Sequence, residues 1–234
     1  MSNSRRVVEL FYDVISPYSW LAFEVLCCYR NVWNIDLKFK PAFLGGVIYG
    51  SDSQPAVVNP SKLMYMVSDL KLASEYFGVP MFQPSKLSEK DSLNAMRFVT
   101  AVAEKGKEGD TLERVSRELW TRKWRTHQDI TQPASLTDAG LKAGLSANEV
   151  EEILTLSISQ PIKDKLKSVT EEALEYKERS GWGLTLTSLQ PRCDHYSSIL
   201  CLSEQLLNTI LKYCKFTFFI QQQTHTHTHK IKKS

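Results

Sequence analysis

The stretch Leu10-Phe11-Tyr12-Asp13-Val14-Ile15-Ser16-Pro17-Tyr18-Ser19-Trp20 holds the residues best placed to do chemistry. Ser16-Pro17-Tyr18-Ser19 sets two hydroxyls at the ends of a four-residue segment, where an apolar run gives way to a helix. Unpaired N–H groups and the positive dipole end at a helix N-terminus stabilise an anion held beside them. Disulfide exchange needs thiols at such positions, so this motif cannot carry it out. It can still bind and activate a thiol that a substrate brings. A plain structural reading stays open beside that one: Ser16 caps the helix, Pro17 starts it, and Tyr12, Tyr18 and Trp20 pack. The five cysteines, Cys27, Cys28, Cys193, Cys201 and Cys214, form no Cys-x-x-Cys and are odd in number. They indicate neither a disulfide framework nor a zinc site. Thr224–His229 alternates threonine and histidine. An (AC)n dinucleotide repeat translated in one frame encodes that pattern, which marks the tail as translated non-coding sequence. The functional alternative is a histidine-rich metal tract, although nothing adjacent would fix the geometry of its side chains.

The elements that must position Ser16 are legible from periodicity. Val7–Tyr12 is β-branched and aromatic and predicts a buried strand. Leu21, Val25, Cys28 and Val32 recur at helical spacing after the Ser16-Pro17 start. Ile35–Lys40 alternates apolar and polar residues and ends at Pro41, as a half-exposed strand does. Residues 7–41 therefore predict a β-α-β unit with parallel strands. From Phe43 to Pro60 the chain is rich in Gly, Ser, Pro and Asp and reads as an exposed loop. Helices are then expected at Lys62–Phe77, Ser92–Lys105, Thr111–Trp124, Ser135–Ala143, Ser146–Leu156 and Ile162–Tyr176. Capping boxes are expected at Ser146–Glu149 and, more weakly, Ser135–Asp138. Beyond Tyr176 the pattern decays, leaving a strand at Leu184–Thr187 and an apolar helix at Ile199–Tyr213 as candidates.

The 234 residues are ample for a core, and 42% hydrophobic with 24% charged is a globular composition. No apolar run is long enough to span a membrane, and Glu9 and Asp13 interrupt the only apolar stretch near the start. An intracellular protein is expected. The formal charge of +3 is uneven: residues 1–176 carry 21 basic and 23 acidic side chains, residues 177–234 carry 8 and 3. The basic tail lacks an interleaved basic–aromatic patch, which argues against nucleic-acid binding.

Several motifs in order carry a resemblance. Val8–Asp13 with Ser16-Pro17-Tyr18-Ser19-Trp20, Met64-Tyr65-Met66 with Asp69–Leu72, Ser92–Phe98, and Ser116–Trp120 together resemble kappa-class glutathione transferases. That family is related to hydroxychromene-carboxylate isomerases and periplasmic disulfide oxidoreductases. The resemblance runs from about residue 6 to Tyr176. It implies an α/β chain with a thioredoxin-like fold and an inserted all-helical domain: residues 5–45 as the N-terminal β-α-β half, 60–176 as the helical domain, and 177–234 as an atypical, poorly ordered tail. It also implies that Ser16 is catalytic, its hydroxyl donating a hydrogen bond to the glutathione sulfur, with Pro17 and Tyr18 in the same contact motif. A thiol of pKa about 8.5 is only a few per cent ionised at pH 7, and lowering it by two pH units takes about 2.7 kcal/mol of selective anion stabilisation. Lys62 falls where the family has a lysine that meets a glutathione carboxylate. Ser53 falls where it has a glutathione-contacting asparagine, and serine cannot present both an amide donor and a carbonyl acceptor. Arg97, Arg117, Trp120 and Trp124 read as packing and surface residues, and His127 has no expected catalytic part.

The implied reaction is conjugation of glutathione to electrophiles and reduction of peroxides, with glutathione as co-substrate and no other cofactor or metal. A homodimer and a mitochondrial or peroxisomal setting are implied, although the C-terminal Lys-Lys-Ser is not a Ser-Lys-Leu signal. The family's cis-proline loop, strand hairpin and Ser-Asp helix start are absent from Lys177–Ser234. The C-terminal half of the thioredoxin domain is therefore expected to be missing or replaced, leaving an open sheet edge and impaired activity. A glutathione-dependent isomerase and an inactive binding or scaffold protein are the alternatives.

Overall fold

The computed structural model describes residues 6–51, 58–82, 91–106, 109–180 and 220–223. The chain opens with strand β1 (Arg6–Tyr12), helix α1 (Pro17–Tyr29) and strand β2 (Ile35–Pro41). β1 and β2 pair in parallel, Arg6 opposite Ile35 through Tyr12 opposite Pro41, as the β-α-β pattern requires. The run Leu10-Phe11-Tyr12 is buried residue after residue, because both faces of β1 are covered. α1 is likewise buried along most of its length from Pro17 to Leu26, which explains its apolar sequence.

Among the described residues seven helices follow: α2 (Leu44–Gly50), α3 (Pro60–Phe77), α4 (Leu93–Glu104), α5 (Asp110–Trp124), α6 (Pro133–Lys142), α7 (Ala147–Ser157) and α8 (Gln160–Ser180). α2 corrects the reading of Phe43–Pro60 as loop over its first part. Its sequence, LGGVIYG, has poor helix propensity. Packing against α8 overrides that propensity, because the glycines let the backbones approach: a Cβ on Gly46 would lie 2.9 Å from Thr170 Cγ2, and one on Gly50 2.7 Å from Leu174 Cδ1. Phe43 N–H further donates to Thr170 Oγ1 at 3.0 Å.

Helix ends follow their local chemistry. Asn59 caps α3 by accepting from the Ser61 and Lys62 amides, and Gly78 closes it in the left-handed conformation at φ 66°. The capping box of Ser146 and Glu149 forms at α7. The weaker one at Ser135–Asp138 does not: α6 starts two residues earlier, at Pro133, and Asp129 accepts from the Thr131 and Gln132 amides ahead of it.

Of the C-terminal segment, backbone pairing is described for strand β3 (Ile220–Gln223), antiparallel to β1 with Val7 opposite Gln223 and Leu10 opposite Ile220. The sheet order is β2-β1-β3, so the expected open edge of β1 is occupied over these residues. The strand and helix expected at 184–187 and 199–213 lie outside the described residues, as does the Thr-His repeat. The main core joins the inner side of the sheet to α1, α4 and α5, with Trp120 at its centre. Trp120 lies parallel to Trp20 at 6.4 Å between ring centroids and packs on Phe23 at 5.0 Å and Tyr12 at 5.4 Å. No helix among the described residues is long and apolar enough to cross a membrane.

Candidate functional site

Ser16 is the N-cap of α1, with φ −86° and ψ 117°, and Pro17 is the first helical residue. Three of its polar atoms are engaged by the fold. The Ser16 N–H donates to Asp13 O at 3.0 Å, closing the β1–α1 turn. The hydroxyl Oγ accepts from the Ser19 N–H at 3.2 Å. The carbonyl accepts from the Trp120 indole N–H at 3.1 Å and from the Trp20 N–H at 3.3 Å. No acidic side chain lies in the first turn of α1, so its positive end is not neutralised from within the helix. Ser16 is buried in this arrangement.

The preceding turn is gripped residue by residue from the helical part of the chain. Tyr12 Oη and Ser116 Oγ share a hydrogen bond of 2.8 Å, and the Ser92 hydroxyl donates to Asp13 Oδ2 at 2.8 Å. Val14 N–H points at Met96 Sδ at 3.4 Å. Thus α4, α5 and the residue that opens α4 fix the turn that presents Ser16. Trp120, expected only to pack, also anchors the serine carbonyl, while Trp124 is buried in the same core. Arg117 pairs with Glu24 at 2.9 Å and lies over the Phe23 ring, joining α5 to α1.

Tyr18 is buried, and its hydroxyl donates to Asp69 Oδ2 at 2.8 Å, tying α1 to α3. Lys62 is exposed in the first turn of α3. It precedes Asp69 by seven positions, about 10 Å along the helix axis. Ser16, Pro17 and Tyr18 are adjacent at the head of α1, and α3 carries both Lys62 and the Asp69 that Tyr18 binds. Ser53 lies outside the described residues.

Asp13 is the participant that sequence reasoning missed. Its side chain is 1% exposed and accepts three hydrogen bonds: from Ile15 N–H at 2.9 Å on Oδ1, and from Leu44 N–H and the Ser92 hydroxyl at 2.8 Å each on Oδ2. Burial pushes its carboxyl up to about 6, against the opposing pull of those hydrogen bonds. The available signal was a charged residue ending an apolar strand, since a carboxylate is rarely buried without partners. Burial also pushes the Cys27 thiol up to about 12, with the Glu113 carboxylate adding to the effect. Among the described residues no cluster of His, Cys, Asp and Glu could hold a metal ion. A groove of about 510 Å³ between α1 and the end of α3 is lined by Trp20, Glu24, Cys28 and Tyr76, with Ser16 not part of its lining.

Comparison with known proteins gives this geometry a lineage. A DsbA-like thioredoxin domain matches residues 7–177. Human glutathione S-transferase kappa 1 is 44% identical over 186 residues, covering 78% of this chain and 80% of the human protein. Among solved structures, a putative protein disulfide isomerase from Nitrosomonas europaea aligns with a TM-score of 0.57 at 15% identity, covering 74% of this chain and 80% of its own. A 2-hydroxychromene-2-carboxylate isomerase aligns at 0.56 and 18% identity, covering 73% and 80%. These two likenesses bear on the fold alone. With a DsbA-like thioredoxin domain over most of its length and such identity to a kappa enzyme, the chain belongs to the kappa-class glutathione S-transferase family.

Proposed function

We propose that this chain is a glutathione transferase in which Ser16 stabilises the glutathione thiolate. The observation that carries the reading is the anchoring of Ser16 through its N–H, carbonyl and hydroxyl at the head of α1, in a chain 44% identical to a glutathione S-transferase. In this reading the Ser16 hydroxyl donates a hydrogen bond to the sulfur anion when glutathione is bound. A charge-assisted hydrogen bond and a helix N-terminus together stabilise an anion by roughly the 2–3 kcal/mol that two pH units of thiol acidity require.

The thiolate then attacks an electrophilic carbon. For a chloronitrobenzene the S–C bond forms, the C–Cl bond breaks, and chloride leaves with the electron pair, the thiol proton having passed to water. In peroxide reduction the thiolate attacks the O–O bond to give an alcohol and a sulfenic acid, which a second glutathione converts to the disulfide and water. Pro17 and Tyr18 line the approach in this reading. Lys62 meets a glutathione carboxylate, and Ser53 supplies one hydrogen bond. A homodimer is part of the reading. It is supported by α3, which exposes Met64, Tyr65, Leu72 and Tyr76 along its length, more apolar surface than an isolated helix face ordinarily leaves bare. A mitochondrial or peroxisomal setting rests on family membership.

Conjugation of glutathione to a chloronitrobenzene, compared between the chain and its Ser16→Ala variant, tests the proposal. The variant is expected to lose on the order of 10–100-fold in kcat/KM at neutral pH, the range that a change of one to two pH units in thiol acidity produces. Equal rates in the two chains would remove Ser16 from the chemistry.

A further inference from the structure

We infer that Asp13 is a positioning residue for Ser16: its buried carboxylate bolts the β1–α1 turn to α2 and to the head of α4, and so holds the serine hydroxyl in place. The inference rests on the role proposed for Ser16 but adds a residue that does not touch the substrate. Three facts carry it. Asp13 and Ser16 close one turn, with Ser16 N–H donating to Asp13 O, so any movement of Asp13 displaces the backbone of Ser16. The carboxylate receives donors from three separate places: Ile15 in its own turn, Leu44 in the first turn of α2, and Ser92 ahead of α4. Finally, both helices lean on it. Phe43, the N-cap of α2, makes no side-chain cap, so Asp13 takes that helix's first N–H instead. Ser92, the N-cap of α4, makes none either and gives its hydroxyl to Asp13.

A carboxylate fills this position where an amide cannot. Ile15 N–H and Leu44 N–H are fixed donors on opposite oxygens. Asparagine has one acceptor oxygen, so either orientation of its amide turns an NH2 group toward a backbone N–H. Among the described residues no lysine, arginine or histidine pairs with Asp13, so its bonds to the turn and the two helices, not an ion pair, hold the charge.

The test compares the full chain with Asp13→Asn and Ser92→Ala by residue-resolved amide hydrogen exchange without ligand, then by conjugation kinetics. Expected for Asp13→Asn is faster exchange at the Ser16 and Ser19 amides, tenfold or more, beyond any change in the stable amides of α5 and α7. A fall in kcat/KM larger than the change in KM should accompany it, with the ionisation of bound glutathione moved toward that of the free thiol. Ser92→Ala, which leaves Leu44 and Ile15 on the carboxylate, should show the same local pattern more weakly. Exchange at Ser16 and Ser19 that is unchanged, or that rises only in step with the whole chain, overturns the inference. If Asp13→Asn does not fold, Ser92→Ala decides by the same criterion. A parent chain that neither conjugates nor ionises glutathione defeats the transferase reading instead, while the exchange comparison still decides the positioning role.

Discussion

Replacing Asp13 with asparagine removes one titrating group and keeps the side-chain volume. The folded carboxyl ionises near 6 because burial outweighs three hydrogen bonds, whereas its ordinary value is 3.8. Asp91 nearby raises it further. Between those two values the folded chain holds a proton that the unfolded chain has released, so stability from this group falls as pH rises through the interval. At about 1.4 kcal/mol for each pH unit between them, the whole effect is about 3 kcal/mol, of which about 2 kcal/mol lies between roughly pH 4.5 and 8. Other carboxylates titrate over the same range, but they do so in both chains.

The quantity to measure is therefore the difference in unfolding free energy between the chain and its Asp13→Asn variant, from urea denaturation at several pH values. Constant effects, such as the misplaced NH2 group, shift this difference without giving it a slope. The unsubstituted chain should lose about 2 kcal/mol relative to the variant from roughly pH 4.5 to 8. A flat difference would mean that the hydrogen bonds offset burial in full. A difference of opposite slope would mean that the hydrogen bonds outweigh burial and hold the carboxyl below its ordinary value. Either result would refute the reasoning.

Tyr12→Phe should cost about 1–2 kcal/mol by leaving the fully buried Ser116 hydroxyl without its partner, and adding Ser116→Ala should recover part of that loss in a denaturation cycle. Gly46→Ala should destabilise by about 1–3 kcal/mol despite alanine's better helix propensity. Its Cβ would meet Thr170 Cγ2 at 2.9 Å, and Thr170 cannot turn aside, because its hydroxyl is bound to both Phe43 N–H and Leu166 O. An alkylating reagent at pH 8 should label exposed Cys28 well before Cys27, whose thiol burial has pushed up to about 12; fragment mass spectrometry distinguishes the two, and equal labelling would contradict the packing of α1 on α5.

What was legible in the chain separates from what was not along a physical line. Ser16 with Pro17, and Ser146 with Glu149, act on neighbours within three positions, and local spacing reveals such groups directly. The strand and helix periods did the same for β1, α1, β2 and the long helices. α2 was misread because glycine normally marks a loop, whereas here it marks a close approach to α8, a contact some 125 positions away. Asp13 was passed over for the same reason. Its partners Leu44 and Ser92 lie 31 and 79 positions on, so no window along the chain contains the set. Yet the chain did hold a clue of a different kind. A carboxylate at the end of an apolar strand is either exposed or bound by donors from elsewhere, because burial without them costs several kcal/mol. In the fold Asp13 is buried between buried Tyr12 and Val14, and two of its donors come from distant elements. Ser92, a cap residue whose own helix makes no use of its hydroxyl, was the matching half of that clue.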